Sequence, residues 1–215
     1  MMKKKLLIIG ASGHGKVVAD IAIQMNKWGN IRFLDDNEAV KDCMGLKVVG
    51  KVNDSYGYKD EADFIVAIGD NLIREKVQTD LEEKGLSIAT LIHPNATIGR
   101  DVKIEVGTVV MAGVVINSST KIGKGCIINT ASSIDHDNVI EDYVHIAPGA
   151  NLAGTIKVGK KSWIGIGAVI IQGITIGENT TIGAGSVAIQ DLSGDCIAIG
   201  CPARIQRLKE SKRGL

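Results

Sequence analysis

Aromatic residues make up only 3% of the 215 residues, and there are just three prolines. With so few rings the chain offers no stacking platforms for single-stranded nucleic acid, and its core has to be aliphatic. Three prolines are too few for a collagen-like or proline-rich disordered chain. Net charge is equally scarce: 25 Lys and Arg against 24 Asp and Glu leave +1, so no global field draws the protein to nucleic acid or an anionic membrane. No apolar run approaches the ~20 residues of a membrane span. The apolar residues 6–11 that follow the basic start are too short for a signal peptide, so a cytoplasmic protein is expected. Cys43, Cys126, Cys196 and Cys201 form no CxxC pair, which points away from zinc ribbons and redox motifs and toward four thiols.

What is abundant is glycine, at 26 residues, and a period of six. Every sixth residue from Ile92 through Ile182 is Ile, Val or Leu, without a slip. Four positions further on, the residue is usually Ala, Ser, Thr, Cys or Val, and glycine often follows the aliphatic one, as at Gly99, Gly123 and Gly159. Neither a helix nor a simple strand has this period, but a solenoid with six-residue faces does. Three faces close a coil, the aliphatic side chain points into a narrow triangular interior, and residues 18 apart stack. The glycines are expected to ease the turns. A little over five coils at ~4.8 Å give a prism roughly 25 Å long.

Residues 1–90 have a different organisation. A short apolar run at 4–9 leads into Gly10-Ala11-Ser12-Gly13-His14-Gly15 and a helical pattern over 16–25. Strand patterns follow at 31–34, ending in Asp35-Asp36, and at 62–68, before a helix over 72–84 stopped by Gly85. Alternating β and α elements imply a small parallel sheet with ligands at its strand C-termini. The glycine spacing departs from GxGxxG, although free amides at a helix start still attract phosphate. Aspartates ending the second strand commonly receive ribose or base hydrogen bonds.

Four histidines are present: His14 in the glycine loop, His93 before Pro94, and His136 and His145 within the hexads. In Asp135-His136-Asp137 two carboxylates flank an imidazole on a surface otherwise built of small residues. A carboxylate on one ring nitrogen leaves the other free as a base, and a pKa near ~6.5 suits removal of a proton from an attacking amine or hydroxyl. Either aspartate is a candidate orienter. Eighteen residues on, stacked above His136, is Gly154, where a bare backbone would let a thioester approach and an amide hold the oxyanion. Cys126 falls on an interior small position and is expected to be an inert packing thiol. His136 and His145 are half a coil apart and no third coil histidine exists, so no metal is expected.

The hexads resemble the left-handed parallel β-helix of the hexapeptide-repeat acyltransferases. Taken with GASGHGKVVAD, FLDD, AIGDNLIR and LIHPNATIG in that order, the whole chain resembles the NeuD/PglD-type sugar O- and N-acyltransferases. The resemblance implies an α/β, Rossmann-like sugar-nucleotide-binding domain over 1–90 and a left-handed β-helix over 91–215 that binds acetyl-coenzyme A and carries catalysis. It implies a homotrimer with active sites between subunits, and N-acetylation of a nucleotide-linked aminodideoxy sugar for glycan or polysaccharide synthesis. By the same resemblance Gly13, His14 and Gly15 hold the nucleotide or its phosphates, with Asp35 and Asp36 nearby. His136 is the general base, Asp137 its orienting acid, and Asn129 helps place the sugar. His145, Gly154, Ile166 and Ala184 contact the donor, Ala184 standing where glycine is common. Asn71 and Arg74 are candidates for the nucleotide side or for helix capping. Arg207, Lys209, Lys212 and Arg213 form a basic tail that coenzyme A phosphates or solvent would meet. O-acetylation of a sugar such as sialic acid, a non-catalytic sugar-nucleotide-binding β-helix protein and an NAD-dependent oxidoreductase are the alternative readings.

Overall fold

The computed structural model describes residues 4–208. Lys209, Lys212 and Arg213 of the basic tail lie outside the described residues. The chain opens with strand β1 (Lys5–Ile9), helix α1 (Gly13–Met25) and strand β2 (Asn30–Leu34). Strand β3 (Ala62–Val66), helix α2 (Asn71–Glu83) and the short strand β4 (Ser87–Ile88) complete the unit. The strands are parallel, in the order β2-β1-β3-β4. A small hairpin, Asp42–Cys43 with Leu46–Lys47, and a 3-10 helix, Val52–Tyr58, fill the gap between β2 and β3; neither carries a clear sequence period. Helix α1 begins within the glycine loop, so Gly13, His14 and Gly15 form its first turn.

From Leu91 onward the chain is a left-handed β-solenoid of about six turns. Its strands are two residues long, and those stacked in register are 18 residues apart, as in Ile128 on Ile146 and Ile146 on Ile164. The inward aliphatics from Val110 to Ile182 are all but fully buried. Only the first coil differs. Ile98 is 37% exposed because no coil lies beneath it. The coil count also exceeds the expected five and a fraction: beyond the hexads, Thr181–Ile182 pairs with Ile197–Ala198 only 16 residues on. Two residues are thus lost from the last coil. Arg204–Leu208 then runs antiparallel to Cys196–Ile199 and covers that edge, which is how the solenoid avoids an open row of backbone donors.

The expected part played by the glycines is corrected. From Ile98 on, the corner residue with positive φ is the third after each inward aliphatic, whether glycine (Gly107, Gly125) or not (Ser119, Asp137). Glycine directly after the aliphatic answers to close approach instead. A Cβ on Gly123 would lie 2.7 Å from Asp142 N, and one on Gly159 2.4 Å from Glu178 N. There it is the next coil, not the backbone angle, that excludes a side chain.

Candidate active site

His136 and Gly154 occupy successive corners on one edge of the prism. The His136 ring is exposed, and its Nδ1 is 2.8 Å from Asp137 Oδ2. Asp137 has φ +58°, a left-handed conformation that aspartate tolerates better than most residues and that turns its carboxylate back to the ring. Asp135 does not share this task. Its Oδ1 accepts from Asn117 Nδ2 at 2.8 Å and from the His136 N–H at 2.9 Å. The hydrogen bond to Asp137 raises the His136 pKa above its ordinary value, and the Asp135 charge adds to this. The bond to Asn117 holds the Asp135 pKa down.

On its other side the ring faces Gly154. A Cβ there would lie 2.6 Å from His136 Cε1 and 2.7 Å from Nε2. Among the described residues no hydrogen bond engages the Gly154 N–H, while its carbonyl accepts from Gly173 N. An exposed ring nitrogen therefore lies against a buried residue whose amide no hydrogen bond engages. Gly154 has an ordinary φ, so Gly154→Ala leaves the backbone unstrained, and the exposed ring swings aside. The expected result is a wild-type melting temperature with kcat lowered by about 10²-fold, the cost of misplacing a catalytic group by roughly 1 Å. Steady-state kinetics and a thermal melt on the same preparation check this.

A second group forms at the seam between the two halves. Arg74 on α2 is 1% exposed. Its Nε donates to Gly125 O at 2.7 Å, one terminal nitrogen to Ile68 O and Gly69 O, and the other to Asn71 Oδ1 and Tyr143 O. Asn71 Nδ2 reaches Lys161 O at 2.9 Å. The helix cap is Asp70, whose Oδ1 accepts from the N–H groups of Leu72 and Ile73. Asn71 and Arg74 thus rivet α2 to the solenoid. Beside this rivet the His145 ring packs on Trp163 with centroids 4.0 Å apart, and His145 Nε2 is 3.1 Å from Asn129 Nδ2. Burial, and then the Arg74 charge, push the His145 pKa down to about 3 and that of His14 to about 4. Both rings are neutral at pH 7. A neutral His145 accepts from Asn129, whose Oδ1 takes the Thr130 N–H at 2.8 Å, so the amide is pinned at both ends. His145 is 6% exposed.

At the glycine loop the three candidates differ. Gly13 has open space where a Cβ would be, whereas one on Gly15 would fall 2.1 Å from Gly10 O, so Gly15 answers to helix-on-strand packing. Asp35 ties the loop down: Oδ2 accepts from Ala11 N at 2.7 Å and Oδ1 from Asn37 N at 2.8 Å. Asp36 Oδ1 accepts from Val52 N. A cleft of about 450 Å³ opens beside Asp35, lined also by Asn37, Lys41, Gly50 and Lys51.

Ile166 and Ala184 stack on one another, Gly185 N donating to Ile166 O, but on a different prism edge from His136. They follow the sheet that carries His145. One chain therefore does not bring its base edge and this edge together. Cys126 is fully buried, its thiol pushed up to about 12 by burial, and is no nucleophile. Among the described residues no three His, Cys, Asp or Glu side chains converge as a metal site would require. Asn117 and Trp163 were not legible as site neighbours. Their only signal is the 18-residue offset from Asp135 and His145.

Residues 5–81 match the PglD N-terminal domain, and residues 155–188 match the bacterial transferase hexapeptide repeat. The chain is 32% identical over 171 residues to GDP-perosamine N-acetyltransferase of Escherichia coli O157:H7, covering 77% of each protein. Among solved structures it is similar to the acetyltransferase domain of PglB from Neisseria gonorrhoeae FA1090 in complex with acetyl coenzyme A. The TM-score is 0.91 and the identity 38%, over 94% of this chain and 99% of that one. It is also similar to PerB from Caulobacter crescentus in complex with CoA and GDP-perosamine, with a TM-score of 0.90 and 35% identity over 94% and 97% of the two chains.

Proposed function

Because the chain belongs to the NeuD/PglD-like family of sugar acyltransferases, we propose that it transfers acetyl from acetyl-coenzyme A to the amino group of a nucleotide-linked aminodideoxy sugar. The observation that carries this reading is the imidazole of His136, held at Nδ1 by Asp137 and set with Nε2 against the Gly154 backbone. Nε2 takes a proton from the attacking sugar amine as the new C–N bond forms at the thioester carbonyl. The Gly154 N–H stabilises the oxyanion. The C–S bond then breaks, and the proton on His136 passes to the leaving thiolate. No residue is acylated on the way, in keeping with a buried, protonated Cys126.

The donor would lie between copies of the chain, in a homotrimer. Support comes from Ile166, an apolar side chain 61% exposed on an edge that its own His136 does not reach. Packing that edge against the His136 edge of a second copy brings base and donor groove together. The acceptor's nucleotide would enter over the first turn of α1 and the cleft beside Asp35, with its amine directed by Asn129. The GDP-perosamine bound by PerB and the substrate named for the E. coli relative favour a GDP-linked amino sugar as the first acceptor to try.

The test is to incubate the protein with labelled acetyl-coenzyme A and a panel of GDP-, UDP- and dTDP-linked 4-amino-4,6-dideoxy sugars, with sialic acid alongside. Label on an amino sugar is the expected result. Label on sialic acid alone would establish the O-acetyl reading, and nucleotide-sugar binding without transfer would leave a non-catalytic binding protein.

A pH profile gives a sharper check of the base. Catalysis needs His136 unprotonated, so kcat/KM rises with pH through its raised pKa. Asp137→Asn keeps a residue that tolerates φ +58° and keeps an acceptor for Nδ1, but removes the charge. The midpoint of the profile is expected to move to lower pH, since the bond to Asp137 is the main cause of the raised value. An unmoved or higher midpoint refutes the pairing.

A further inference from the structure

The corner that follows His136 departs from the hexad pattern, and its geometry converges on the proposed site. At Thr108, Thr120 and Ser162 a buried hydroxyl ties one coil to the next. It donates to the carbonyl 15 residues on and accepts the N–H 18 residues on, as Thr120 does with Asp135 O at 2.8 Å and the Asn138 N–H at 3.3 Å. The equivalent position two residues after His136 holds Asn138 instead, fully buried inside the prism. Its Oδ1 accepts from Ile156 N at 2.7 Å. Its Nδ2 spends one proton on Ala153 O at 2.8 Å and the other on Asp135 O at 2.7 Å.

Those two carbonyls belong to the peptide units Asp135–His136 and Ala153–Gly154. A trans peptide is planar, with C=O and N–H pointing opposite ways. Anchoring the Ala153 carbonyl inward therefore turns the Gly154 N–H outward, to the side where the His136 ring lies. Anchoring the Asp135 carbonyl from the same nitrogen fixes the corner from which that ring projects. We infer that Asn138 is a positioning residue, whose buried carboxamide aims the Gly154 amide and sets its spacing from His136. It touches neither substrate nor the reacting atoms and acts through these two peptide units. The inference rests on the proposed roles of His136 and Gly154.

Threonine and valine have the same shape, and both already stand at equivalent corners, Thr120 and Val144, so the solenoid accepts either. Asn138→Thr keeps a donor for Ala153 O and an acceptor for Ile156 N, whereas Asn138→Val keeps neither. Asn138→Val is expected to lower kcat at least about tenfold, approaching the loss of an oxyanion donor, with both KM values within twofold of wild type. Asn138→Thr is expected to recover most of that loss. The pH midpoint is expected to stay at the wild-type value in both, because the His136–Asp137 pair is untouched. Equal kcat in the two variants, an Asn138→Val rate within twofold of wild type, or a loss that tracks the fraction of folded enzyme overturns the assignment. His136→Ala assayed in parallel separates this outcome from failure of the base itself: a His136→Ala enzyme with wild-type rate removes the mechanism, whereas an inactive one beside a fully active Asn138→Val removes only Asn138.

Discussion

His136→Ala is expected to lower kcat by about 10²–10⁴-fold, the usual contribution of a positioned general base, while the protein melts as wild type does. The two halves of this expectation have separate causes. The side chain is 58% exposed and its one side-chain hydrogen bond is to the equally exposed Asp137. Removing it therefore opens no cavity and orphans no buried group, and such surface changes stay within about 0.5 kcal/mol. Nor does the ring support the corner it stands on, since the Asp135 and Ala153 carbonyls are held from inside the prism. What is lost is the proton acceptor beside Gly154. KM for the donor is expected to change little, because Ile166 and Ala184, the proposed donor contacts, lie on another edge. A folded His136→Ala enzyme within tenfold of wild-type kcat would show that the proton leaves by another route. His136→Asn, which keeps polarity without basicity, is expected to be as slow.

The solenoid was legible because one inward residue per hexad has no freedom. A polar side chain there, or a slip of one residue, would place charge in a dry interior with room for little beyond an aliphatic group. The edge formed by His136 and Gly154 followed from the same arithmetic, since stacking at 18 residues needs no side-chain information. Three features were less legible. Which aspartate meets the ring depends on the corner's left-handed turn at Asp137, and that turn recurs at most corners whatever the residue, so composition does not mark it. Asn138 was visible only as an exception among small residues, and its two carbonyl partners come from different coils. Arg74 and His145 face each other across the seam between the halves of the chain. Nothing local distinguishes a buried arginine in a helix's first turn from a capping or ligand-binding one until the opposing surface is in place.

That seam gives the largest expected effect on stability. Arg74→Met is expected to cost roughly 3–5 kcal/mol at neutral pH, since it leaves several acceptors unsatisfied at about 1–3 kcal/mol for each buried one, and to lower the melting temperature by about 10 °C for a chain of this size. Methionine fills the volume of the stem but leaves the carbonyls of Gly125, Tyr143, Ile68 and Gly69 without the donors that the guanidinium supplied. The acid side of the stability curve carries a second signature. His14 and His145 have folded pKa values of about 4 and about 3, below the ordinary 6.5. The unfolded chain therefore takes up protons first as pH falls. Their contribution is complete above pH 6.5 and declines below it toward the folded values, by about 2 kcal/mol for each histidine at pH 5. Burial is the larger cause of both depressed values and Arg74 the next, so the variant relaxes them only in part. Urea titrations at pH 7.5, 6 and 5 are then expected to show an Arg74→Met protein that is less stable at pH 7.5 and whose loss between pH 6.5 and 5 runs nearly parallel to that of wild type, because folded values still below 5 leave both rings neutral. A variant within 1 kcal/mol of wild type at pH 7.5 would mean that the guanidinium does not hold the two halves together.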